Sequence, residues 1–271
     1  MATTDSPSQA WHALSQGNAR FVTGSLAHPN QDADRLSATA EHQSPFALVL
    51  GCMDSRVAAE IIFDRGIGDL AVVRTAGHVL DSSVLGSLEF GVTVLQIPLV
   101  VVLGHDGCGA IATALAACRT GQMPGGYVRD IVERVTPSMV TARVAGRGIE
   151  DIDPDDLTIE HVRHTVHLIA ERSAPIAERI SSGRCAIVGA GYRLAEGRVR
   201  LLESLGDIDD QEQTHRDARA GCDVQDVRYP SSSSIARSIA ARCAANSRSS
   251  GATISASSTV QIASIRLSRM R

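Results

Sequence analysis

Two short segments of this 271-residue chain gather side chains that could bind and activate a ligand. Cys52-Met53-Asp54-Ser55-Arg56 offers a thiol, a carboxylate and a guanidinium; His105-Asp106-Gly107-Cys108-Gly109 offers an imidazole and a second thiol. Two sulfurs and one nitrogen suit Zn²⁺, and three protein ligands leave open the fourth position that a catalytic zinc needs. His105 and Cys108 lie three apart across a glycine turn, close enough to bind one ion. Cys108 also opens a helix-like stretch, whose first amides would favour its thiolate. Taken singly, Cys52 and Cys108 read as small buried residues and His105 as a histidine closing a strand; their joint occurrence favours a metal. A structural zinc would want a fourth thiolate or imidazole, for which His78 is the main candidate. Asp54 and Arg56, two apart on a tight loop, can pair in bidentate geometry. Held so, Asp54 can accept a hydrogen bond from a zinc-bound hydroxide; released, it can take the fourth zinc position and close the site.

Both motifs need a scaffold that brings them together. Each follows an apolar run, FALVLG at 46–51 and PLVVVLG at 98–104, continuous in the way of parallel strands buried on both faces. Further strands are expected at 70–74, 185–189 and, at an edge, 198–202. Helices are expected at 8–22, 57–63, 82–95 (with Asp81 or Ser82 as N-cap), 108–119 and 157–180, the last kinked near Pro175. Strands alternating with helices predict an α/β fold, an open, mainly parallel β-sheet flanked by helices. Such sheets bind ligands at the carboxyl ends of their strands, so the two motifs should meet in one crevice.

Composition divides the chain into an N-terminal helical arm at 1–44, a zinc-binding α/β catalytic domain at 45–206 and a tail at 207–271. The arm carries Trp11, Leu14 and Phe21 as an apolar stripe, expected to pack on a neighbouring subunit. In the tail, residues 227–271 hold seven arginines, thirteen serines and no acidic residue. The whole tail, 207–271, is expected to be disordered or non-homologous, and dispensable for catalysis. Apolar residues make up 44% and aromatics only 3%, so the core must be aliphatic. A net charge of −4 gives no reason to expect nucleic-acid binding. All 26 basic residues are arginines, which excludes Schiff-base chemistry and a P-loop lysine. The first residues lack a signal-peptide pattern and no apolar run is long enough to span a bilayer, so a cytoplasmic protein without membrane contact is expected. Its six cysteines should then be ligands, nucleophiles or core residues rather than disulfides. His161, His164 and His167 recur every three residues and read as a solvated helical face. Cys118 and Cys185 read as core, and 189–197 (GAGYRLAEG) as a turn between strands.

Cys-x-Asp-x-Arg followed by His-x-x-Cys-Gly resembles the β-class carbonic anhydrases. The likeness runs over about residues 8–206 and includes VVRTAGH (72–78), GSLEFGVTVL (86–95) and MPGGYV (123–128). It implies Cys52, His105 and Cys108 as ligands of one Zn²⁺ per subunit, Asp54–Arg56 as the catalytic dyad, and Gln43 and Gly109 as substrate contacts. The implied reaction is reversible hydration of CO₂ to bicarbonate and a proton by zinc-bound hydroxide. The implied assembly is a homodimer or dimer of dimers whose subunits exchange N-terminal helices and build the pocket across their interface. Ala71 stands where many members carry an aromatic, and Phe90 where many carry tyrosine. Some members also bind bicarbonate at an inhibitory site through an arginine and a tyrosine near Arg74 and Tyr192, although Val49 replaces their tryptophan. From the residues themselves two rivals stay open: a hydrolase of carbon disulfide or carbonyl sulfide on the same scaffold, and a zinc-stabilised binding module without turnover. The Asp54–Arg56 pair argues against the second.

Overall fold

Strands β1 (Ala47–Cys52) and β3 (Leu99–His105) are buried at every residue, as the unbroken apolar runs require. A computed structural model describes residues 4–144 and 148–209. In it β1 and β3 are neighbours in a five-stranded sheet of order β2-β1-β3-β4-β5, with β2 at Leu70–Thr75, β4 at Ala186–Arg193 and β5 at Arg198–Leu205. The first four strands are parallel and β5 pairs antiparallel with β4, so the expected mainly parallel α/β sheet and its 198–202 edge strand are both present. From β1 the chain moves outward to β2, and from β3 it moves the other way to β4. The carboxyl ends of β1 and β3 therefore flank the point where the winding reverses, the usual ligand position in such sheets.

Alternate strand residues feed two faces. Val49, Val101 and Val188 pack beneath α1 (Pro7–Thr23) and α3 (Ala59–Ile62). Leu48, Leu50, Val100, Val102 and Ile187 pack beneath α4 (Ser82–Glu89), α7 (Pro154–Arg172) and α8 (Ala174–Ser181). Between them in sequence lie α2 (Ala33–Ala38), which buries nothing, α5 (Gly109–Thr120) and α6 (Val128–Val144). Helices α5 and α6 and the start of α7 close a third apolar cluster around Cys52 and Cys108.

Several expectations change. The single kinked helix at 157–180 is two helices, because Ser173 is extended (φ −115°, ψ 97°) and caps α8 by accepting from the Ile176 N–H. Pro175 falls in the first turn of α8, where its missing N–H costs nothing. The helix expected at 57–63 shrinks to α3, and the one at 82–95 passes after Glu89 into a π-turn, Phe90–Val94. Helix α6 was not anticipated at all.

The arm also differs from expectation. Helix α1 forms, with a capping box between Ser6 and Gln9 and a left-handed stop at Gly24 (φ 70°). Yet it does not depend on a neighbour for cover: Ala10, Trp11 and Leu14 are buried against this chain's own sheet. Asn18 fastens it by donating to the carbonyls of Ile62 (3.2 Å) and Gly197 (2.8 Å) and accepting from the Val199 N–H (2.9 Å). The physical reason for the close approach is Gly17, where a Cβ would lie 1.8 Å from the Phe63 carbonyl oxygen. Gly17→Ala should therefore lower the chemical-denaturation midpoint, with a loss of about 1–3 kcal/mol or more. An unchanged midpoint would mean that α1 does not rest on α3 in this way.

Of the tail expected at 207–271, only 207–209 fall among the described residues; the disorder expected beyond them lies outside the described residues. Among the described residues no helix is long and apolar enough to cross a membrane.

Candidate metal centre

Cys52 ends β1, His105 ends β3, and Cys108 is the N-cap residue of α5. Gly107, at φ 59°, turns the chain sharply enough to bring Cys108 back beside His105. The two Sγ atoms and one ring nitrogen lie within 4.8 Å of one another, and all three residues are buried. The sulfurs are 4.0 Å apart. Two bonds of about 2.3 Å at a tetrahedral angle would put them about 3.8 Å apart, so the spacing suits one shared ion. The imidazole is presented for the same purpose. Its Nδ1 lies 2.8 Å from the Asp106 carbonyl oxygen and so carries the proton, while Nε2 is buried without a hydrogen-bond partner. A buried ring nitrogen beside two sulfurs, left without a hydrogen-bond partner, fits a metal ligand.

The electrostatics agree. The Cys52 thiol is drawn well below its ordinary value by the hydrogen bond from Cys108; burial opposes this, while His105 and the Gly77 N–H, 3.4 Å away, add to it. Cys108 is pushed up first by the hydrogen bond it shares with Cys52 and then by burial, although the Ile111 and Ala110 amides at the start of α5 favour its thiolate. One sulfur thus ionises readily, and the second needs positive charge beside it. A divalent cation supplies that charge.

Asp54 sits just outside this cluster, its Oδ2 4.0 Å from His105 Nε2. It is held there by Arg56, whose Nε and terminal nitrogen donate to the two carboxylate oxygens at 2.9 and 2.7 Å, and by the Arg56 N–H at 2.9 Å. Those bonds keep the carboxyl well below the usual carboxylate range. Asp54 is thus turned to Arg56. Arg74 braces the loop by donating to the carbonyls of Cys52 (2.9 Å) and Asp54 (2.5 Å). Tyr192 is buried opposite His105 in the strand register.

Other expected positions are placed elsewhere. Gly109 is the first residue of α5, exposed beside Cys108. Gln43 is exposed in the loop before β1, at the far end of the strand from Cys52. From Ala47 to Cys52 the strand makes five steps, about 16 Å at 3.3 Å per residue, so Gln43 and the cluster do not meet within one chain. Ala71 and Phe90 line a common apolar cleft of about 450 Å³ with Leu48, Val73 and Leu95.

One alternative and one expectation about histidine fall away. His78 does not join the ligand cluster, so the four-ligand structural zinc has no support among the described residues. It is buried instead against His161, ring centroids 4.6 Å apart. His161 is not on a solvated face: it is buried, accepting from Ser138 and donating to Gly77. Only His164 and His167 keep partial exposure.

Asp155, in the first turn of α7, carries no signal in the sequence that points to the site. Its Oδ1 accepts from the Gly107 N–H at 2.9 Å, and Arg193 lies 3.6 Å from both Asp155 and Asp106. A pair of acidic residues opening a helix is a cap signal, not a pointer to a loop that lies 48 residues earlier.

A sequence model of the family described as carbonic anhydrase matches residues 47–199. Among curated relatives, carbonic anhydrase 2 of Mycobacterium tuberculosis is 53% identical over 205 residues, covering 76% of this chain and 97% of the relative. Among solved structures, a Coccomyxa β-carbonic anhydrase in complex with acetazolamide superposes with a TM-score of 0.58 at 22% identity, covering 75% of this chain and 95% of that one. One of two tetrameric β-carbonic anhydrases from Sordaria macrospora superposes at 0.55 and 22% identity, covering 71% and 95%.

Proposed function

Because this chain belongs to the β-carbonic anhydrase family, we propose that it catalyses the reversible hydration of CO₂ to bicarbonate at one zinc ion per subunit held by Cys52, His105 and Cys108. The observation that carries the reading is the buried cluster of two sulfurs and an imidazole whose Nε2 lone pair has no partner, with a guanidinium-held carboxylate at its edge. Zinc bound there would lower the pKa of water from 15.7 towards about 7, an effect for which carbonic anhydrase is the standard example.

The chain's own residues do the rest. Asp54, ionised and fixed by Arg56, can only accept hydrogen bonds, so it orients the O–H of the attacking solvent and turns a lone pair towards CO₂. Arg74 keeps the Asp54 loop in place through two backbone carbonyls. The apolar cluster of Val79, Ile111, Val132 and Leu157 around the sulfurs excludes bulk water from the ligand side. The proton leaves through solvent on the exposed Arg56 side.

The same reading completes the site across a homodimer or dimer of dimers. Gln43 is exposed far from its own cluster, and β2 is an open sheet edge beside an apolar cleft on which Phe90 is 53% exposed. The partner subunit's Gln43 would then polarise a substrate oxygen at this chain's centre, with Gly109 beside it. Free thiols at the centre suit a reducing compartment such as the cytoplasm.

Stopped-flow CO₂ hydration, before and after zinc removal by a chelator and after zinc is restored, tests the proposal. Activity should vanish and return with the metal. A folded, metal-free protein that keeps its rate would overturn it.

A further inference from the structure

The Cys52 sulfur is supported from behind by a short chain of groups that the proposed chemistry does not use. Its one backbone donor from the neighbouring turn is the Gly77 N–H, 3.4 Å from Sγ. That turn, Ala76–His78, follows β2 and holds two successive left-handed residues, Gly77 at φ 64° and His78 at φ 45°. Glycine suits position 77, where φ is positive and a Cβ would sit tightly, 3.0 Å from Ala110 Cβ. A histidine with positive φ is unfavourable on its own, so something else must fix this turn.

His161, reaching in from α7, supplies the fixing contact. Its Nε2 lies 3.1 Å from the Gly77 carbonyl oxygen, which can only accept, so Nε2 carries the proton. Its Nδ1 is then the acceptor for the Ser138 hydroxyl of α6, at 2.7 Å. Burial keeps the ring neutral, which preserves this tautomer throughout the working pH range. The His78 ring stacks against it at 4.6 Å and 36°, and rests against Gly104, the residue before the ligand His105. Ser138, His161, Gly77 and Cys52 thus form one line of directed hydrogen bonds from α6 through α7 to the sulfur.

We infer that His161 is a positioning residue for the Cys52 ligand: by holding the Gly77 carbonyl it aims the Gly77 N–H at Sγ and sets how strongly that sulfur donates to the metal. Groups that orient ligands in this way tune metal affinity by about 10–100-fold, and hydrogen bonds to a thiolate alter its donor strength. The inference rests on the ligand set proposed above.

Cobalt(II) substitution separates the two. In the parent protein, cobalt bound by Cys52 and Cys108 should show intense thiolate-to-cobalt charge-transfer absorption; its absence would sink the ligand set itself. Given that band, His161→Phe keeps the ring volume but loses both hydrogen bonds. It should shift the band to lower energy and weaken zinc retention against a chelator by about 10–100-fold. His161→Gln, whose amide N–H can reach the Gly77 carbonyl, should restore most of both. Ser138→Ala frees the tautomer and should shift the band the same way by less, which keeps the test decisive if His161→Phe does not fold. An unchanged band and unchanged zinc retention in folded His161→Phe, or in Ser138→Ala where the first is not obtained, would overturn the inference. So would a loss of thermal stability with no spectroscopic change, because that is what a purely structural histidine would give.

Discussion

Replacing Cys52, His105 or Cys108 with alanine should strip the protein of zinc and abolish CO₂ hydration in each case. The three ligand atoms lie within 4.8 Å of one another and no fourth ligand of that kind joins them among the described residues. Losing any one leaves two, too few to hold the ion or to keep the geometry that leaves one position for solvent. The alanine variants are also informative about folding. Cys52 and Cys108 are small and contribute little to the apolar cluster beyond their sulfurs, so the chain should remain folded with a cavity penalty of about 1–2 kcal/mol. His105 sits at the end of β3, whose ladder with β4 is made by backbone groups that alanine retains. Elemental analysis of the purified variants, paired with circular dichroism, checks this. A folded variant with full zinc occupancy would refute the assignment of that residue as a ligand.

Asp54→Asn should leave zinc content unchanged and reduce CO₂ hydration by about 100-fold or more. The carboxylate receives both arms of the Arg56 guanidinium and one backbone N–H, so it stays ionised across the working range and presents only acceptors to the solvent at its edge. An amide presents a donor there in one orientation and loses the bidentate pair in the other. Arg56→Ala should fail differently. It releases Asp54, whose Oδ2 is already 4.0 Å from His105 Nε2, to enter the fourth position and close the centre. Activity should then recover as pH rises and hydroxide competes for the metal. Because Arg56 holds the Asp54 carboxyl below the usual range, Asp54 does not itself titrate between about pH 6.5 and 9. In the parent protein a rise of activity with pH across that window belongs to the ionisation of water. Stopped-flow rates for parent, Asp54→Asn and Arg56→Ala over that range test all three statements. A flat parent profile, or an asparagine variant with near-parent activity, would contradict them.

The parts of the fold that carry the ligands were the easiest to read. β1 and β3 are unbroken apolar runs because both of their faces are covered, and each ends directly in its motif. What the sequence concealed was cover and depth. Helix α6 escaped notice because Pro137 interrupts it and arginine, glutamate and threonine dilute its stripe, although Val132, Val135 and Met139 are fully buried. With α6 unseen, nothing suggested that Ser138 could meet a histidine 23 residues later. His161, His164 and His167 recur at three, whereas a helix turns every 3.6 residues, so His161 falls in with the buried Val162, Thr165 and Ile169 while the other two drift to the flank. The helix at 8–22 was legible, but its landing place was not, since that depends on Gly17 letting two backbones approach. Gln43 shows the same limit: nine residues of sequence place it near Cys52 on paper, yet an extended strand carries it to the opposite end of the sheet.

The most direct test is X-ray absorption at the zinc edge of the purified enzyme near pH 8. One zinc per chain is expected, with two sulfur scatterers at about 2.3 Å and two lighter ones at about 2.0–2.1 Å, one being the His105 imidazole and the other an oxygen. Cys52→Ala and Cys108→Ala should each lose one sulfur from whatever zinc remains. A shell of three or four sulfurs, one with no sulfur, or one with two imidazoles would contradict it.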